Sequence, residues 1–246
     1  MLQYKDTVAS REPALKGASV MIFVTGDTHI PIDINKLSMT KFPRQKNLSA
    51  EDYVIVCGDF GGVWDRSNEE RYWLKWLTNK NFTTLFIDGN HENHQMLNDE
   101  FPVIQFCSGN AHKINDKIFH LMRGQVYSIG EKKIFTMGGA SSHDKESRKE
   151  GKNWWSQEMP SENEYQIAAH NLQASDWQVD YVITHCAPNS IQSQVMDGYE
   201  ENELTDFLES VKEKLTFNKW FFGHYHVDKQ IAGKYMCIFE NIVEIG

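Results

Sequence analysis

The sequence contains no unbroken run of about 18 apolar residues, so no helix long enough to cross a bilayer is predicted. Its four cysteines, Cys57, Cys107, Cys186 and Cys237, lie far apart and form no Cys-x-x-Cys pair. That spacing argues against a disulfide scaffold or a thiolate zinc site; it fits small buried side chains in a reducing, cytoplasmic setting. Basic charge is also scarce. With 25 Lys and Arg against 34 Asp and Glu, the formal net charge is −9, and non-specific nucleic-acid binding needs the opposite balance. A phosphorylated substrate stays open, because a polyvalent cation reverses the field at a site. The first twenty residues lack the apolar centre of a secretory signal.

What is present describes a packed chain. A hydrophobic content of 40% with 12% aromatics over 246 residues excludes disorder and supplies a sizeable core. Residues 1–19 read as a poorly ordered N-terminal extension, with Met21 as an alternative start. Residues 20–246 read as a single domain, without internal repeats or a low-complexity linker. Nothing in the sequence indicates an oligomeric state.

Hydrophobic patterning then orders the elements. Strands are predicted over Val20 to Thr25, Tyr53 to Cys57, Phe82 to Ile87, Asp180 to Thr184 and Lys219 to Phe222. Ser67 with Glu70, and Ser161 with Glu164, have the spacing of capping boxes and open two helices. A short helix is expected over Asn93 to Asp99, and an amphipathic one over Glu200 to Leu215. Val103 to Met137 reads as antiparallel strands, and Val227 to Ile245 as closing hairpins around Gly233. Residues 140–161 are polar and too long for a plain connection, which predicts an insertion near the functional site.

Each buried strand ends in polar residues: Asp27-Thr28-His29, Asp59, Asn90-His91, His185, and His224-Tyr225-His226. Open α/β sheets bind ligands at such strand ends. Imidazole combined with carboxylate and amide oxygen suits manganese, iron, zinc, cobalt or nickel, and suits calcium poorly. The candidate ligands exceed the need of one ion, so two ions sharing a carboxylate is the economical interpretation.

In their order (Asp-x-His, Gly-Asp, Gly-Asn-His-Glu, His, Gly-His-x-His) these motifs resemble the calcineurin-like metallophosphoesterase superfamily, and they span about four-fifths of the chain. The resemblance implies an α/β fold, a four-layer α/β/β/α sandwich of two mixed β-sheets, with the metal site at strand C-terminal ends. It implies two divalent or trivalent transition-metal ions: Asp27, His29 and His226 on the first, Asn90, His185 and His224 on the second, and Asp59 bridging. His91 matches the catalytic histidine. The implied reaction is hydrolysis of a phosphomonoester or phosphodiester by a metal-bridging hydroxide.

Two alternatives accompany that reading. A Ser/Thr-type protein phosphatase is one, but that branch carries an orienting acid where this chain has Gly62, and Asp65 is the nearest substitute. A catalytically inactive metal-binding scaffold for a protein partner is the other. Within the insertion, His143 and Arg148 are candidate substrate contacts, and Trp154-Trp155 are candidates for stacking on a base or for packing the insertion down. His94, His112, His120 and His170 read as structural or solvated, and Arg66 as a solvated loop residue.

Overall fold

The computed structural model describes residues 19–246. The expectation for residues 1–19 therefore lies, apart from Ser19, outside the described residues.

The chain begins with β1 (Ile22–Thr25) and β2 (Tyr53–Val56), followed by α1 (Asn68–Thr78), β3 (Thr83–Phe86) and α2 (His94–Glu100). Five strands come next: β4 (Val103–Phe106), β5 (Gly109–Asn115), β6 (Ile118–Leu121), β7 (Gln125–Ile129) and β8 (Lys132–Met137). After residues 140–161 come α3 (Glu162–Ala174), β9 (Tyr181–Thr184), α4 (Asn189–Val195), α5 (Glu203–Lys214) and β10 (Lys219–Phe222). The last elements are β11 (Lys229–Ile231), β12 (Tyr235–Cys237) and β13 (Ile242–Ile245).

These strands form two mixed sheets, in the orders β13-β1-β2-β3-β6-β5-β4 and β11-β12-β10-β9-β8-β7. Val24, Ile55, Leu85 and Ile87 of the first sheet or its strand ends share one apolar cluster with Ile134, Ile183 and Phe221 of the second. The outer face of the first sheet buries Phe86 against Leu77 of α1 and Leu97 of α2. The outer face of the second buries Trp220 and Phe222 with Leu172, Ile191, Leu208 and Val211 of the other three helices. The result is the expected α/β/β/α layering. Strands covered on both faces have no need of polar alternation, which explains why the runs Ile22–Thr25 and Tyr53–Val56 are apolar almost throughout.

β1, β2 and β3 are mutually parallel, as are β9 and β10. Each therefore releases its following residues at the same edge of its sheet. That topology brings the five polar strand ends together.

Several local expectations change. Ser67 does cap α1 by accepting the Glu70 N–H at 3.1 Å. The Glu70 carboxylate does not return to the cap, however; it accepts the backbone N–H groups of Trp64, Asp65 and Arg66 at 2.8, 2.8 and 3.1 Å, gathering the preceding loop. The Ser161–Glu164 capping box forms as predicted. The tail is only partly a hairpin: β11 and β12 pair around Gly233, but β13 crosses to the first sheet and pairs antiparallel with β1. Helix α4 falls in a stretch where no helix is expected. Residues 140–161 hold two short 3₁₀ turns, Lys145–Ser147 and Ser156–Glu158.

Candidate metal centre

The strand ends converge through a shared local solution: a glycine or sharp turn follows each apolar run, and the next polar side chain turns back over the sheet edge. A Cβ on Gly223 would collide with the Asp27 carboxylate, and one on Gly89 with that of Asp59. Those two glycines let the acids lie flat against the neighbouring strand ends. His29, Asp59, His224 and His226 all hold positive φ, of 33°, 45°, 69° and 51°. Non-glycine residues in this region carry a conformational cost and concentrate where geometry serves function.

Donor atoms of Asp27, His29, Asp59 and His226 all lie within 4.8 Å of one another. His29 directs Nε2 to Asp59 Oδ2 at 3.2 Å, and His226 directs Nε2 to Asp27 Oδ2 at 3.1 Å. Behind them, Asp33 meets His29 Nδ1 at 2.9 Å, and the buried Lys36 ammonium donates to the Asp27 carbonyl at 2.7 Å. A carboxylate on the far nitrogen of an imidazole fixes its tautomer and leaves the near nitrogen's lone pair free.

The second group centres on His185, which is fully buried. Its Nδ1 donates to the Cys57 carbonyl at 2.7 Å, so in the neutral ring Nε2 carries a lone pair. That nitrogen faces Asn90 Oδ1 and Asp59 Oδ1, each at 3.3 Å. The ring of His224 lies 5.0 Å from that of His185, and its backbone N–H donates to both Asp27 oxygens at 3.1 Å.

With the His185 ring neutral, its Nε2, Asn90 Oδ1 and Asp59 Oδ1 are three acceptors facing one another in a buried site, an arrangement that favours a cation among them. Although burial opposes charge, the Asp59 carboxylate raises the His185 imidazole to about 10, so in the metal-free site a proton on that ring supplies positive charge where an ion would otherwise sit. Burial would also lift Asp59, but His185 and His29 hold it well below the usual carboxylate range. The donor set, imidazole with carboxylate and amide oxygen, fits transition-metal ions of the manganese-to-zinc series.

His91 stands at the rim of this cluster. Its backbone N–H donates to Asp59 Oδ1 at 2.7 Å, and its ring lies 5.5 Å from that of His29. Arg148 approaches from the insertion: Nη2 lies 3.4 Å from His91 Nε2, while Nε pairs with Asp144 at 2.8 Å. His143 packs edge-on to Tyr199 and lies 5.9 Å from the ring of His224, on the wall of a cleft of about 510 Å³. Both insertion residues named from sequence thus border the cluster.

Other candidates lie elsewhere. Asp65 is taken up by the backbone N–H of Ser67 at 2.8 Å, and Gly62 packs on the Phe60 ring, so neither orients His91. Arg66 pairs with Glu100. Trp155 is buried edge-on against Trp64, which favours packing over base stacking. His94, His112 and His120 are buried around Asp88, and His170 is exposed.

Glu92 escaped assignment from sequence. It is fully buried, and Oε1 accepts the Phe60 N–H at 2.7 Å, bracing the turn that carries Asp59. Burial pushes its carboxyl well above the usual range. Asp33 and Lys36 were also missed; the only trace of Asp33 in sequence is an acid four residues after His29.

No curated protein matches the sequence significantly. The family model for calcineurin-like phosphoesterases matches residues 20–228, which carry every strand end described above, and the chain belongs to that family.

Proposed function

We propose that the protein is a dimetal phosphoesterase in which Asp27, His29 and His226 hold one ion, Asn90, His185 and His224 hold the other, and Asp59 serves both. The observation that carries this reading is the convergence of buried lone pairs at Asp59, with His29 on one carboxylate oxygen and His185 on the other. Bound there, two ions of the manganese, iron, zinc, cobalt or nickel type supply the positive charge that polarises phosphoryl oxygens and acidifies water.

The chain's own residues supply the rest. Asp33 and the Cys57 carbonyl keep His29 and His185 in the tautomers whose free nitrogens face inward. His91 and Arg148 form the rim that receives the phosphate: the guanidinium exchanges its long contact with His91 for phosphoryl oxygens, and its planar fork suits that group. His91 is then beside the reacting phosphoryl group, where its ring offers a hydrogen bond or proton to the leaving oxygen. The leaving group extends toward the cleft at His143, Tyr199 and His224.

The substrate we favour is a small phosphomonoester or phosphodiester. A Ser/Thr-type protein phosphatase is less supported, because the ring partner of His91 among the described residues is a guanidinium where that branch uses an acid.

A panel of mono- and bis-substituted aryl phosphates, assayed with added Mn²⁺, tests the reading. Turnover of at least one class, abolished in Asp59→Asn and His91→Ala, is expected. A protein that retains metal but hydrolyses none of them would instead be the inactive scaffold.

A further inference from the structure

One contact to the cluster comes from outside the strand ends. The side-chain amide of Asn90 donates through Nδ2 to Ser142 Oγ at 3.3 Å. Ser142 in turn donates its hydroxyl proton to Glu158 Oε2 at 2.6 Å, and its backbone N–H to Glu158 Oε1 at 2.9 Å. Ser142 is 3% exposed and Glu158 1%. A serine hydroxyl has a single proton. Because Glu158 takes it, Ser142 Oγ can only accept from Asn90, which must present its NH₂ on that side. The carbonyl oxygen of the amide is thereby turned to face His185 Nε2 at 3.3 Å.

The insertion that carries this pair is fastened to the strand end that carries Asn90. Gly139 N–H donates to the Asp88 carbonyl at 2.9 Å. Arg123 donates to the Asp88 carboxylate through Nε at 2.9 Å, and to the carbonyls of Gln157 and Glu158 at 2.9 and 3.2 Å. Both ends of the 140–158 loop are thus held against Asp88, two residues before Asn90.

We infer that Ser142 and Glu158 are positioning residues that set the direction of the Asn90 amide and so give the second metal position its amide oxygen. The inference rests on the dimetal reading above. It assigns the insertion two tasks on consecutive residues, since its base orients Asn90 while Arg148 near its tip meets His91. Glu158→Gln is the informative change. Its nearly isosteric amide cannot accept from both the Ser142 N–H and the Ser142 hydroxyl. If its NH₂ faces the hydroxyl, the serine proton turns to Asn90 and calls for the carbonyl oxygen, the reverse of what the metal needs.

Calorimetric titration of the metal-free full chain with Mn²⁺ tests this without reference to turnover. Wild type should bind two equivalents. Glu158→Gln and Ser142→Ala should each keep one equivalent at wild-type affinity and weaken the other by about 10–100-fold, the usual effect of removing a residue that orients a ligand. Mn²⁺ electron paramagnetic resonance should change in parallel from a coupled pair to an isolated ion at limiting metal. Two wild-type equivalents in both variants would overturn the inference and leave the dimetal reading standing. Equal weakening of both equivalents would also overturn it, since a general loosening would then be acting. Failure of wild type itself to bind two ions would remove the dimetal reading and this inference together.

Discussion

Replacing Asp88 by asparagine should destabilise the protein without touching a residue of the metal cluster. Asp88 is 1% exposed and accepts from Arg123 Nε and Nη2 at 2.9 and 2.5 Å and from His120 Nε2 at 3.0 Å. Burial favours its neutral form, but the Arg123 charge and the His120 hydrogen bond hold the carboxyl below the usual carboxylate range. Removing the charge leaves a buried guanidinium without its main counterion, which costs about 3–5 kcal/mol. Arg123 keeps the carbonyls of Gln157 and Glu158 and a 3.4 Å contact with Glu164, so the lower end of that range applies. For a chain of this size, about 3 kcal/mol lowers the melting temperature by about 6–12 °C. A depressed carboxyl contributes its full stabilisation above the unfolded-state value near 4 and loses it only as pH falls through the folded value. The difference between wild type and Asp88→Asn should therefore be constant from pH 8 to pH 5. Thermal and urea melts of the metal-free protein measure it. Arg123→Met should cost a similar amount, and the double variant less than the sum of the two. An Asp88→Asn protein melting within about 2 °C of wild type would refute the claim that this pair fastens the insertion.

Two further outcomes follow from the same contacts. Burial lowers His94 to about 3, so this histidine stays neutral in the folded chain while its unfolded counterpart protonates near 6.5. Its linkage destabilises the fold as pH drops from about 6.5 toward 3, by up to about 1.4 kcal/mol per unit. Urea midpoints of metal-free protein at pH 7, 6 and 5 should fall accordingly, and His94→Gln should flatten the slope. Arg148→Ala should reduce kcat/KM by about 10–100-fold, the loss of a hydrogen bond to a charged group, while leaving the melting temperature nearly unchanged. An equal loss for neutral and charged substrate analogues would argue against phosphate contact.

The strand ends were legible because their signal is local. An apolar run covered on both faces, a glycine and a ligand-type side chain occur within a few residues of one another, as in Ile87-Asp88-Gly89-Asn90-His91 and Phe222-Gly223-His224-Tyr225-His226. Parallel strand order then does the gathering. The supporting residues are a different matter. Ser142 reaches Asn90, and Glu158 reaches Ser142, only because a polar segment folds back by two short 3₁₀ turns, and neither turn has a sequence signature. The Cys57 carbonyl carries no side-chain information at all, yet it selects the His185 tautomer. Glu70 shows the limit of motif reading: the spacing from Ser67 predicts a reciprocal cap, but three loop N–H groups compete for the same carboxylate and hold it. The departure of β13 from the tail hairpin reflects the open edge of β1, a long-range pairing that the residues after Gly233 do not announce.

The central claim is that these strand ends hold two ions with Asp59 between them. Anomalous diffraction from crystals grown with Mn²⁺ tests it most directly. Two peaks about 3.5–4 Å apart, one on each side of the Asp59 carboxylate, are the predicted result. A single peak, or peaks away from Asp59, would contradict it.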